Sequence, residues 1–130
     1  MIAVGTNVLV RYLVEDDVAQ ADRAEAVLRG GAVLVPKTVL LETAWVLRSS
    51  YSFERAAIAS GLTRLLGLPG VAVEDGPAVA RALAWYGQGL GFADALHLVS
   101  SERAEAFATF DDALRRKAQA VVDAPPIVAP

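Results

Sequence analysis

The chain has 130 residues, of which 55% are hydrophobic, carries a net charge of −3 and contains no cysteine. This length suffices for one domain with a proper core, and the lack of cysteine removes disulfides, thiolate catalysis and thiolate metal sites together. The charge balance gives no global basic footprint of the kind nonspecific nucleic-acid binders show, although 12 Lys and Arg residues leave material for a local groove.

The first residues, Met1 to Val4, lack the basic start and long apolar core of a signal peptide. No run approaches the ~20 apolar residues of a spanning helix. The expectation is a cytoplasmic protein without membrane contact. Its apolar excess points to an oligomer or an obligate partner, with a very Ala-rich core as the bland alternative.

Ile2-Ala3-Val4 reads as a buried strand that stops at Gly5-Thr6-Asn7, where Thr6 or Asn7 caps a short helix through Val8 to Leu13. Asp16 and Asp17 cap a second helix to about Arg29, closed by Gly30-Gly31. Ala32 to Val35 form a second strand ended by Pro36, and Thr38 caps a helix to about Ser49. Ser52 opens another helix, with Glu54 in its first turn, that reaches about Leu66 and breaks at Gly67-Leu68-Pro69-Gly70. Val71 to Val73 are a third strand, followed by a helix over about Pro77 to Tyr86. After Gly87 and Gly89 comes an apolar helix to about Ala104, then a fourth strand from Ala106 to Phe110. Asp111 or Asp112 caps a basic helix, and Val121-Val122 add a short fifth strand. The domain spans residues 1–123, and the Pro-rich tail 124–130 is extended and partly loose. Strands alternating with helices mean an α/β fold around a central parallel sheet of about five strands.

Three carboxylates stand in apolar company. Glu42 interrupts Val39-Leu40-Leu41 and Thr43-Ala44-Trp45, Asp94 lies within Gly91-Phe92-Ala93 and Ala95-Leu96-His97, and Asp111 ends Ala106 to Phe110. A buried ionised carboxylate costs several kcal/mol unless compensated, and no Lys or Arg lies within a turn of Asp94. Gly5 to Asn7 and Asp111 fall at strand C-terminal ends, where parallel sheets build their sites. Acids about 6 Å apart would repel by roughly 3 kcal/mol per pair at an effective dielectric of 20. A shared site therefore calls for a divalent cation, and an all-oxygen set favours Mg²⁺ or Mn²⁺. The bland readings are a capping role for Asp111, and solvated or Arg-paired edges for Glu42 and Asp94. His97 reads as a core or interface histidine, Trp45 and Trp85 as packing residues, and Arg115-Arg116-Lys117 as a solvated face.

Taken together, Ile2 to Val10, Leu41-Glu42-Thr43-Ala44-Trp45-Val46-Leu47, Phe92-Ala93-Asp94-Ala95-Leu96-His97-Leu98 and Ala108-Thr109-Phe110-Asp111 resemble the PIN domain, specifically VapC-type toxins of toxin–antitoxin pairs. The resemblance implies a Mg²⁺- or Mn²⁺-dependent endoribonuclease, a homodimer, and a cognate antitoxin that blocks the site. It makes Glu42, Asp94 and Asp111 the metal-binding and catalytic acids. Thr6, Asn7, Thr109 and Asp112 would orient substrate or the outer shell. Gly5 stands where the family carries its first metal-ligating Asp, and Gly91 where close relatives often carry another. The expectation is impaired cleavage, weaker Mg²⁺ binding and a more stable metal-free fold than in acid-complete relatives. The alternative is an inactive PIN fold that binds antitoxin or RNA without cutting.

Overall fold

The computed structural model describes residues 1–121 and 123–130 and groups them into two compact units, Met1–Gly76 and Pro77–Pro130. The first unit runs β1 (Ile2–Ala3), α1 (Thr6–Val14), α2 (Val18–Arg29), β2 (Val33–Val35), α3 (Lys37–Ser49), α4 (Arg55–Leu66) and β3 (Val71–Val73). Its strands pair in parallel in the order β1-β2-β3, with Ile2 opposite Val33 and Val33 opposite Val71. Parallel neighbours need long crossovers. Here each crossover is a pair of helices, α1 and α2 before β2, then α3 and α4 before β3.

The spacing of apolar residues explains which faces turn inward. On α3, Leu40, Thr43, Ala44 and Leu47 are buried at three- and four-residue intervals, and α4 buries Ile58, Gly61, Leu62 and Leu65 in the same rhythm. Leu9, Leu28, Val33 and Val35 complete the core. Each such side chain contributes about 1.5–3 kcal/mol when fully covered. A Cβ on Gly61 would come 3.3 Å from the Leu13 side chain, so α4 approaches α1 closely there. Thr43 is buried, and its hydroxyl donates to the Val39 carbonyl at 2.7 Å, which removes the cost of burying it. Asp17 caps α2 by accepting from the Gln20 amide at 3.0 Å.

The second unit contains α5 (Gly76–Gly87, which opens at the boundary), α6 (Phe92–Val99), β4 (Phe107–Ala108), α7 (Asp112–Gln119) and β5 (Ile127–Val128). The strands β4 and β5 pair in parallel around α7. Val79, Ala82, Leu90, Ala95 and Leu98 are fully covered. The Tyr86 and Phe92 rings pack with centroids 5.6 Å apart. Arg81 lies over the Trp85 ring and pairs with Glu102.

Several expectations are corrected. The parallel α/β fold is as expected, but in place of one sheet of about five strands the described residues form three paired strands in the first unit and two in the second. The fifth strand is not at Val121, which is buried outside any strand, and Val122 lies outside the described residues. It comes from the tail instead. Phe107 N donates to the Pro126 carbonyl at 2.8 Å and Thr109 N to that of Val128 at 3.0 Å. Pro125-Pro126 favour an extended backbone, which feeds Ile127-Val128 into pairing. The α6 helix stops at Val99, short of the expected end near Ala104. A turn follows it, in which Ala104 N donates to the Ser101 carbonyl at 2.9 Å. No helix among the described residues is long and apolar enough to cross a membrane.

Candidate active site

The first unit supplies one group of candidate residues. The backbone leaves β1 through buried Val4 and enters α1 at Gly5, the N-cap residue, which offers the helix no side-chain bond. Thr6 opens the helix, and its hydroxyl donates to Glu42 Oε1 across to α3 at 2.5 Å. Gly5, Thr6, Asn7, Arg11, Glu42 and Tyr51 help line a cavity of about 470 Å³. On its rim Arg11 pairs with Asp16 at 3.0 Å, and the Tyr51 hydroxyl donates to the other oxygen of Asp16 at 3.5 Å. This cavity sits where β1 ends, the position that parallel α/β topology favours for a site.

The second unit holds the other candidates. Asp94 lies in the first turn of α6, half-buried, with Gly91 as the N-cap residue. The apolar face of α6 (Phe92, Ala95, Leu96, Leu98, Val99) is buried, whereas Ala93 and His97 are exposed. Asp94 therefore sits at the helix edge. A Cβ on Gly91 would lie 3.5 Å from Asp94 Oδ2, so an acid there would adjoin Asp94. Asp111 caps α7: its Oδ1 accepts from the Leu114 amide at 2.9 Å, and its own amide donates to the Thr109 hydroxyl at 3.1 Å. Asp112 pairs with Arg115 at 3.0 Å.

These placements revise the sequence reading. Glu42 and Asp111 are exposed and Asp94 is half-buried, so no desolvation cost forces a cation onto them. His97 is exposed and is not a core residue. Trp85 packs as expected at 4% exposure, but Trp45 is 67% exposed and does not. An apolar run on an Ala-rich helix does not tell which side lies open, and Glu42 and Trp45, three residues apart on α3, share the open side. The structure brings Thr6, Asn7 and Glu42 to one cavity in the first unit, and Thr109 to Asp111 in the second.

Among the described residues no three His, Asp or Glu side chains are grouped to hold a metal ion. The first cavity offers a single carboxylate, Glu42, whose Oε1 already accepts from Thr6. Asp111 likewise has one oxygen engaged as a cap. Mg²⁺ keeps several of its waters and takes one or two carboxylates, so in each unit taken by itself a lone acid, Glu42 in the first and Asp94 or Asp111 in the second, would hold such an ion only sparsely. Arg11 and Tyr51 also line the cavity, and neither stands out in the sequence by its neighbours. Arg11 was legible from its spacing, one helical turn after Asn7 and therefore on the same face. Asp16, read as a cap, instead partners Arg11, while Asp17 does the capping.

The family described as PIN domain matches residues 2–120 of the chain. None of the curated proteins matches it.

Proposed function

Because the chain belongs to the PIN domain family, whose members are generally metal-dependent nucleases, we propose that it is an RNA-directed toxin of a toxin–antitoxin pair with impaired cleavage. In this reading it works in the cytoplasm as a homodimer, uses Mg²⁺ or Mn²⁺, and is held in check by a cognate antitoxin. Glu42, Asp94 and Asp111 are its candidate acids; Thr6, Asn7, Thr109 and Asp112 orient the substrate or the outer shell.

The observation that carries the proposal is the cavity at the end of β1, which Gly5 lines together with Glu42, held by the hydroxyl of the next residue, Thr6. The family's first acid belongs at that N-cap, and its absence leaves the set one carboxylate short. Exposed Trp45 and Phe110 supply apolar surface for a partner or a second copy. A second reading, RNA or antitoxin binding without cleavage, is favoured by the sparse acids at this cavity, where Glu42 is the single carboxylate in the lining.

The test is RNA cleavage in Mn²⁺ and in EDTA by the parent chain, Gly5→Asp and Asp94→Asn. Slow cleavage by the parent, faster cleavage by Gly5→Asp and none by Asp94→Asn support impaired catalysis. RNA bound but left intact by both parent and Gly5→Asp establishes the second reading. Cleavage that persists in EDTA or in Asp94→Asn overturns the proposal.

A further inference from the structure

A second cavity in the first unit, about 510 Å³, opens between α1 and α2. Asn7, Val8 and Arg11 face it from α1, and Gln20, Arg23 and Val27 from α2. The intervals follow from helical geometry: Asn7 and Arg11 are one turn apart, as are Gln20 and Arg23, so each pair projects to one side. The charged groups lining this cavity are two guanidinium groups, with no carboxylate among the lining residues. Asp16 engages Arg11 from outside the lining. Arg23 is exposed, and its side chain has no hydrogen-bond or ion-pair partner among the described residues. On the same helix Arg29 pairs with Glu25 at 2.9 Å, and that hydrogen bond raises its pKa further.

Asn7 and Arg11 line this cavity and the Thr6–Glu42 cavity alike, so the two share a wall. Their charges differ: beside the shared Arg11, the first cavity adds the Glu42 carboxylate and the second adds the Arg23 guanidinium. A phosphate is repelled by Glu42 on one side and attracted by Arg23 on the other. A polyanion lying across the shared wall would anchor its backbone at Arg23 and present neighbouring atoms to Glu42. We propose that the α1–α2 cavity is a phosphate-binding subsite for single-stranded RNA, with Arg23 as its available cation and Asn7 and Gln20 as amide donors. The inference rests on the reading of the protein as RNA-directed and holds whether or not the RNA is cut. Carboxylates of an acidic peptide would satisfy the same charge, but continuity with the Thr6–Glu42 cavity favours the substrate over a separate partner.

The test is fluorescence anisotropy of a fluorescein-labelled single-stranded oligouridylate, titrated in EDTA over a series of KCl concentrations. Arg23→Gln should weaken binding about three- to tenfold at low salt and reduce the slope of log K against log salt by about 0.7, the value for one phosphate on a single strand. Arg23→Lys should keep the slope, because the charge remains. Arg29→Gln, with the same change in net charge, should alter neither. RNA binding by the parent that Arg23→Gln leaves unchanged overturns the subsite while sparing the RNA-directed reading. No RNA binding by the parent removes that reading and the subsite with it. Capture of a labelled polyglutamate peptide that depends on Arg23, with RNA binding indifferent to it, reassigns the cavity to a protein partner and overturns the proposal.

Discussion

Installing the missing acid with Gly5→Asp measures how the site's charges balance before any metal arrives. Gly5 has extended backbone, φ −91° and ψ 170°, which any residue adopts. An added Cβ would find a single neighbour within 4 Å, Asn7 Oδ1 at 3.6 Å, so the substitution carries no steric cost. The new carboxylate would cap α1, a gain over glycine of a few tenths of a kcal/mol. The helix dipole adds about 0.3–1 kcal/mol. Against this stands Glu42. At about 6 Å the repulsion is about 0.7 kcal/mol in water and about 3 kcal/mol at an effective dielectric of 20. Glu42 is exposed, so the lower figure governs. The terms nearly cancel, and the metal-free melting temperature should move by a few degrees at most. This replaces the larger loss expected from the sequence, which assumed buried acids. Differential scanning calorimetry in EDTA is the assay. A drop of about 10 °C or more would refute the reasoning, because it would place position 5 and Glu42 together in a low-dielectric pocket.

Asp111→Ala should cost about 1 kcal/mol through loss of the α7 cap, whereas Asp111→Asn should retain most of it; thermal melts of the two variants separate capping from catalysis. Trp45→Ala should change stability by about 0.5 kcal/mol or less, and Trp85→Ala should cost about 3–5 kcal/mol, as read by urea titration. Thr6→Val removes the hydroxyl that holds Glu42 and should cost less than about 1 kcal/mol, since the pair is exposed. If RNA cleavage is measurable, it should fall further in Thr6→Val, because Glu42 is then free to swing.

The order of strands and helices was legible because its signals are local. Asp17 ahead of Val18, Gly30 after Arg29 and the break at Gly67 mark helix ends by the chemistry of caps and turns. Glu54 shows the limit of that reading: it falls at the N-cap of α4 and not in its first turn. Burial was less legible. Glu42 and Trp45 sit in an apolar run, but α3 turns Leu40, Thr43, Ala44 and Leu47 inward and leaves both outside. Periodicity identifies a helix, whereas the covered face depends on what packs against it. The tail escaped for a related reason. Ile127-Val128 are too short to signal a strand, and pairing with Phe107-Ala108 across the length of α7 is a non-local event. Arg23 reads as an ordinary surface cation until α1 supplies Arg11 opposite it.

Titration calorimetry with Mn²⁺ on the parent chain and on Gly5→Asp tests most directly whether the glycine at the start of α1 limits metal chemistry here. The account predicts weak or undetectable heat for the parent and binding at least about tenfold tighter for Gly5→Asp, a difference of about 1.4 kcal/mol. Equal affinities for the two proteins would contradict it, because position 5 would then have no part in holding the ion.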